Sequence, residues 1–455
     1  MKILVQKFGG TSVATDEARA AAVDKVVRAV RDGWSVVVVV SAIGRAGAPY
    51  ATDTLINLLK GIDPTTSPAA REMDLMMACG EFLSTVIFAQ TVRSRDLDSI
   101  ALTGGQAGIL TDYEFGNARI LSIDPTYVVK MLEVGKVVVV AGFQGVTALG
   151  AITTLGRGGS DTTASALAAA LKPYAKEIAA EIYTDVSGVK TADPRVVPGA
   201  RTLAQATYGV VAEMAHQGAK VVHPRAAEIA DQYEIPLWIK NTFDDEPGTL
   251  ITREAPKNDR ALGATGVTNT GKLAYLRFPT VGIADSDRTQ IEREIYMLLA
   301  RENIPIHLTG TGVDGFGFTV AREHLSRLRE LIDGLIVPID LGVRKRPPFG
   351  RIFLLGLGRG RGYEAQQALL ARAANLVEVH GIEARVIENV TLVSLIAEDL
   401  AGVPGALAWM LEILEKSGVT VHQTSDSRYS VSALIPEAQV HTALRALHDE
   451  FGLEK

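Results

Sequence analysis

The sequence predicts an α/β protein: a mostly parallel open sheet sandwiched by helices, followed by two small βαββαβ units of ferredoxin-like type. Three observations predict it. Short, fully apolar runs alternate with helical patterns up to about residue 250. The texture then changes across the polar stretch 245–258, which holds Pro247 and Pro256. Beyond it, a strand–helix–strand–strand–helix–strand order occurs and then recurs less cleanly, as expected of tandem small domains.

In the first part, residues 2–8 open as a short apolar strand, and 36–40, 100–102, 137–141, 178–183 and 236–239 are apolar or β-branched runs bounded by turn residues. Helical spacing fills 16–31, 71–93, 161–171, 208–218 and 224–233. Strands that are apolar on both faces belong to a parallel sheet covered by helices. Ligands on such a sheet sit beyond the carboxyl ends of its strands.

In the second part, strands at 273–278, 306–308, 317–321 and 337–341 with helices at 285–302 and 323–334 make the first unit. Strands at 391–397, 419–423 and 429–435 with helices at 404–417 and 437–451 make the second. The expected domains are therefore 1–252, 262–343 and 344–455. The last includes a segment at about 344–390 that neither unit explains. There a strand at 352–355 leads into a run that places glycine at 356, 358, 360 and 362, and a helical pattern follows at 363–380. Its spacing is wrong for a dinucleotide fingerprint, so it reads as a cationic surface loop or an extended strand–helix.

Bulk properties narrow the function. A chain of 455 residues with 47% apolar and 22% charged residues is globular and long enough for several cores. A formal charge of −6 gives no basic footprint, which argues against nucleic acid as a partner. The single Cys79 excludes an internal disulfide and any CxxC metal site and fits a reducing compartment. The N-terminus lacks a signal pattern and the apolar runs are of buried-strand length, so a soluble cytoplasmic protein without a membrane partner is expected.

Four segments carry chemistry. The strand at 2–8 ends in Lys7-Phe8-Gly9-Gly10-Thr11-Ser12. Adjacent glycines let backbone N–H groups approach an anion, and the lysine adds a charge at the same spot. The spacing is not that of a Walker A loop. In Gly156-Arg157-Gly158-Gly159-Ser160-Asp161, a glycine-rich loop opens an Ala-rich helix, with Ser160 a natural N-cap and Asp161 in the first turn. Asp161 either serves chemistry or only complements the helix dipole, while Arg157 has the planar fork that grips a carboxylate. The strand at 178–183 leads into Thr184-Asp185, then Asp193-Pro194-Arg195. Asp185 and Asp193 suit base or ribose hydrogen bonds, and Arg195 and the later Lys220, in the fourth segment Gly218-Ala219-Lys220-Val221-Val222-His223-Pro224, suit phosphate oxygens, although Asp-Pro is also an ordinary turn dipeptide.

The four motifs, in this order and spacing, resemble those of aspartate kinases, the branch of the amino acid kinase superfamily with tandem C-terminal ACT domains. The motif resemblance covers residues 1 to about 252, and 397–415 and 419–427 are similar to the family's ACT pattern. It implies transfer of the ATP γ-phosphoryl group to the β-carboxylate of L-aspartate, with Mg²⁺ held mainly by the nucleotide phosphates rather than by a protein metal cage. This is the committed step toward lysine, threonine, methionine and diaminopimelate.

By the resemblance, Lys7 and Asp161 are catalytic. Ser41, Thr52 with Asp53, Glu81, Arg157 and Ser160 bind aspartate, with Arg157 on its α-carboxylate and Glu81 on its ammonium group. Lys7, Gly9, Gly10, Thr184, Asp185, Asp193, Arg195 and Lys220 bind the nucleotide. A pathway amino acid is the expected effector, with Asp285, Asp287, Ser425 and Asp426 as candidate contacts, and the ACT domains imply at least a homodimer. Lys190 stands where the family usually has tyrosine, which leaves the nucleobase environment open. A catalytically silent amino-acid sensor and a kinase for another carboxylate are the competing readings.

Overall fold

The computed structural model of the protein describes residues 1–63, 65–219, 221–254, 263–339, 350–357, 361–371 and 377–454. Its N-terminal domain is built on an eight-stranded sheet in the order Gln205–Thr207, Thr249–Thr252, Leu237–Asn241, Glu177–Thr184, Lys2–Phe8, Ser35–Val40, Val137–Ala141 and Ser99–Leu102. All pairs are parallel except Leu237–Asn241 with Thr249–Thr252. Lys7 lies opposite both Val39 and Ile182. The three central strands therefore end on one edge, where the loops at Gly9, Ser41 and Asp185 begin.

Alternation sorts this sheet into two faces. Leu4, Phe8, Val36, Val38 and Val40 pack under Val23, Val26 and Phe88. Ile3, Val5, Val37 and Val39 pack against Leu167 and Ala226 on the other side. The helix Asp16–Arg31 starts and stops where its spacing indicates, since the side chain of Thr15 accepts the Ala18 N–H and acids and bases occupy its first and last turns. The helix Ala70–Arg93 is long and apolar enough, by length and composition, to cross a membrane. Here it packs on the sheet and buries Asp74 and Glu81. Two helices, Thr52–Lys60 and Thr126–Glu133, and a four-stranded sheet of Ile120–Ile123, Ile109–Thr111, Gln144–Val146 and Ile152–Thr154 go beyond the sequence reading. These strands are of three or four residues, too short to show a period.

The C-terminal half is interlaced. The long strand Ala264–Pro279 pairs antiparallel with the long strand Val377–Ala397, with bulges near Thr270 and Leu273. Its first part joins 391–397, Ser430–Pro436 and Gln423–Asp426 under the helices Ala406–Lys416 and Val440–Glu450, around Val267, Leu395, Met410 and Leu444. Its second part joins Gly315–Ala321 and Ile306–Gly312 on one side and 385–390 on the other, around Phe278, Ile295, Phe318 and Phe353.

This differs from the expected division at 343/344: the second unit borrows its outer strand from residues 264–270, and the first is inserted between the two pieces. Nor does the strand Leu335–Ile339 take the place beside Ala264–Pro279 that a βαββαβ order assigns it. It pairs with Gly350–Leu357 at the far edge, and 385–390 fills the vacated place, while 377–384 pairs with Gly350–Leu357. The unexplained segment thus extends the sheet. Residues 340–349, and so the end of the strand expected at 337–341, lie outside the described residues.

Three further expectations shift. The helix expected over 363–380 is Arg361–Ala371, and 377–380 belongs to a strand that pairs parallel with Gly350–Leu357. The strand expected at 419–423 is Gln423–Asp426, since only there does the chain pair with Ser430–Pro436. The glycine run, of which 358–360 lie outside the described residues, leads into a helix start that an internal carboxylate already serves: Asp333 accepts the N–H groups of Gly362 (2.9 Å) and Leu357 (3.4 Å).

Candidate functional site

The turn after Lys2–Phe8 is formed by close approach. A Cβ on Gly10 would lie 2.4 Å from the Gly44 carbonyl oxygen and 2.9 Å from that of Ala42. Gly9 donates its own N–H to Tyr183 O (3.4 Å), so it is not the free donor expected. The unbonded amides belong to the start of the 3-10 turn Gly10–Val13, where first-turn N–H groups have no carbonyl behind them.

Lys7 Nζ lies 2.7 Å from Asp161 Oδ1, with only 12% and 13% of the two side chains exposed. Asp161 reaches this position from the first turn of the helix Gly159–Leu171. The N-cap of that helix is Gly158 at φ +70° rather than Ser160, which lies buried inside the first turn against Gly142. Glycine is required at 158 because a Cβ there would fall 2.2 to 2.4 Å from the ring and Cβ of His223. The backbone N–H of His223 donates to Asp161 Oδ2 (3.3 Å), and burial lowers the pKa of its imidazole. His223 thus joins the site from the motif around Lys220; Lys220 itself lies outside the described residues.

On the other wall, Glu81 is 3% exposed. Its Oε1 accepts the Ala42 N–H at 3.0 Å, which ties the loop after Ser35–Val40 to the helix Ala70–Arg93. Its Oε2 is buried without a partner. Burial pushes the carboxyl up to about 8, against the lowering effect of the Ala42 bond. Ser41 is half-buried and donates its N–H to Phe8 O (3.1 Å). Thr52 opens the helix Thr52–Lys60 with Asp53 in its first turn, and Thr54 folds the loop back by donating to Ala48 O (2.7 Å). Arg157 is exposed, with no ion pair among the described residues.

The third group splits. Thr184 Oγ1 donates to Asp185 Oδ1 (3.1 Å), and Arg45, from the loop after Ser35–Val40, pairs with Asp185 at 2.9 Å. Asp193 and Arg195 hold each other: the guanidinium meets the carboxylate at 2.7 Å, and this pair lowers the Asp193 pKa. The same stretch docks on the C-terminal half. Thr191 Oγ1 bonds the buried His448 Nε2 at 3.0 Å, and Ala192 and Val197 enter the core around Leu444.

Of the C-terminal candidates, Asp285 pairs with Arg288 (2.9 Å) and the buried Asp287 with Arg351 (2.8 Å). Ser425 sits opposite Ser432 in the sheet. Asp426 lines a cleft of about 440 Å³ with Leu400, Val403, Gly405, Leu407 and Val431. Arg45, Asp74 and His223 were not legible as site residues. His223 lay within the motif around Lys220 without a role of its own, and Asp74 left a signal as a carboxyl on the apolar face of its helix seven residues before Glu81.

Known proteins resemble the chain over its whole length. The amino acid kinase family matches residues 2–241 and an ACT domain matches 393–451. Aspartokinase 1 of Bacillus subtilis is 35% identical over 461 residues, covering all of both chains. The aspartokinase of Pseudomonas aeruginosa is 36% identical, covering all of this chain and 98% of its own. The crystal structure of E. coli aspartokinase III with aspartate and ADP superposes with a TM-score of 0.72 at 24% identity, over 99% of this chain and 100% of its own. The form with lysine and aspartate gives 0.69 at the same identity.

Proposed function

The chain belongs to the aspartokinases of the amino acid kinase family, and from that membership we propose that it transfers the γ-phosphoryl group of ATP to the β-carboxylate of L-aspartate, giving 4-phospho-L-aspartate and ADP. The observation that carries the reading is the Lys7–Asp161 pair at 2.7 Å beside the glycine turn. A carboxylate approaching a polyanionic phosphate is repelled until positive charge is in place, so positioning and neutralisation supply most of the acceleration. Lys7 is that charge at the transferring group, and Asp161 fixes where its ammonium sits. The free amides at Gly10 and Thr11 take phosphate oxygens. Thr184, Asp185, Asp193, Arg195 and Lys220 serve the nucleotide; Arg195 does so by exchanging Asp193 for a phosphate.

Aspartate is read by its two ends. Arg157 takes the α-carboxylate and the free Oε2 of Glu81 takes the ammonium group, with Ser41, Thr52 and Ser160 alongside. Mg²⁺ fits as an ion carried in on the nucleotide: Asp161 is engaged by Lys7 and His223, and the one His/carboxylate cluster among the described residues, His448 with Asp449 and Glu454, belongs to the C-terminal module. When bound, the metal neutralises phosphate charge.

The cleft around Asp426 is our choice for an amino-acid effector, because the acids at the other loop, Asp285 and Asp287, are already paired. The ACT sheets pair two copies into a homodimer, and the lone Cys79 fits a cytoplasmic enzyme. A coupled ADP-release assay across aspartate, glutamate and N-acetylglutamate tests the reaction, with turnover expected for aspartate alone. Turnover of another acid in preference to aspartate would refute the assignment. Thermal-shift and rate titrations with lysine, threonine and diaminopimelate test the effector; no response to any would leave the ACT pair an assembly element.

A further inference from the structure

Asp74 is fully buried and has no cation within ion-pair distance among the described residues. Its carboxylate is used up by three donors. Oδ2 accepts the N–H groups of Thr154 (2.8 Å) and Gly116 (2.9 Å), and Oδ1 accepts the Thr154 hydroxyl (2.9 Å). A buried carboxylate is tolerated only when so satisfied. We infer that Asp74 is a positioning residue that sets the loop carrying Arg157 and thereby governs aspartate binding but not ATP binding. The inference rests on the reading that Arg157 grips the aspartate α-carboxylate.

The geometry points there from three sides. Thr154 lies three residues before Arg157, and its carbonyl accepts the Ala118 N–H (2.8 Å), which locks it to the segment carrying Gly116. That segment presses on the intervening corner: Gly156 stands at φ +74°, and a Cβ on it would meet Asn117 Oδ1 at 2.8 Å. The loop therefore leaves for Arg157 along one path, and Asp74 holds both strands of chain that define it.

The position of Asp74 on its helix supplies the rest. Asp74 and Glu81 are separated by seven residues, which places them on one face about 10.5 Å apart along the axis. Through Glu81 the helix holds the loop after Ser35–Val40, and through Asp74 it holds the loop before Arg157. One rigid element thus registers the two groups that read opposite ends of the same small substrate. An error of about 1 Å in such spacing is enough to cost orders of magnitude.

Steady-state kinetics of Asp74→Ala, Asp74→Asn and Arg157→Ala test this. Asp74→Ala is expected to raise the aspartate KM about tenfold or more while the ATP KM stays within about twofold. Asp74→Asn keeps an oxygen for the two amides and an NH₂ for the hydroxyl to accept, so its aspartate KM should stay within about threefold of wild type. A merely structural Asp74 would lower the melting temperature without separating the two KM values, and that result overturns the inference. Thr154→Val removes one of the three bonds if Asp74→Ala does not fold, and an unchanged aspartate KM in it also overturns the inference. If Arg157→Ala raises the aspartate KM and Asp74→Ala does not, only the role of Asp74 falls. If Arg157→Ala leaves it unchanged, the assignment of Arg157 falls first and this inference with it.

Discussion

The two walls of the candidate site are charged in different ways. On the wall proposed for phosphate the opposite charges are already matched: Lys7 with Asp161 at 2.7 Å, Arg45 with Asp185 at 2.9 Å, and Arg195 with Asp193 at 2.7 Å. On the wall proposed for aspartate they are not. Glu81 is buried with one oxygen unpartnered, and Arg157 is exposed without an ion pair among the described residues. The Lys7–Asp161 pair is preformed and costs no reorganisation when charge develops, which suits the chemical step, whereas on the proposed reading Arg195 leaves Asp193 for the nucleotide. An unmatched buried acid and a free guanidinium are completed by a ligand carrying an ammonium group and a carboxylate. On the proposed roles, the first wall serves rate and the second selection.

The sharpest way to break this contrast is Lys7→Ala. If the phosphate wall serves rate, kcat should fall about a thousandfold, or about 4 kcal/mol of barrier, with a much smaller change in the aspartate KM. Steady-state kinetics with kcat within about threefold of wild type would remove Lys7 from the chemistry.

Arg157→Lys comes next. Keeping the charge but losing the planar fork should raise the aspartate Kd about tenfold to a hundredfold while ATP binding is nearly unchanged. Calorimetry that found the ATP affinity lost instead would mean the walls are assigned the wrong way round.

Glu81 sharpens the comparison through protons. With its pKa near 8, the free enzyme holds it mostly protonated at pH 7. An incoming ammonium group favours the carboxylate, so aspartate binding should release a proton, approaching about 0.9 per site at pH 7. Calorimetry in two buffers of different ionisation enthalpy measures it, and Glu81→Gln should abolish it. The sign for stability follows from the same raised pKa. The folded free enzyme binds the extra proton between the ordinary carboxyl value of 4.5 and about 8, so this group's contribution is full below 4.5 and lost as pH rises through about 8. Melting curves of Glu81→Gln should lack that part of the decline.

The smallest effect is expected from Arg195→Ala. An exposed pair contributes well under about 1 kcal/mol to stability, so the melting temperature should hardly move. The ATP KM should rise a few fold if nucleotide draws Arg195 off Asp193. An unchanged ATP KM would make the pair a surface contact beside the docked stretch that ends at Val197.

What the sequence by itself determined is local. The helix Asp16–Arg31 is legible because its caps and its period lie within its own residues, and the strand Val137–Ala141 because its burial is continuous. The Lys7 turn and the Asp161 helix start were readable as motifs for the same reason, since each spans a few positions, whereas Glu81 came only with the family resemblance. The tertiary structure decided what joins across distance. A period of two tells which face of a strand is buried but not which strand lies beside it. Residues 264–270 therefore give no sign that their partner is 391–397, nor that 385–390 displaces Leu335–Ile339 from the sheet centre. Asp193 and Arg195 have the right chemistry for a nucleotide, yet two residues apart they meet each other first. Asp74 is a single acid in an apolar helix until Gly116 and Thr154 arrive, because the three donors that justify burying it come from chain 42 and 80 residues away.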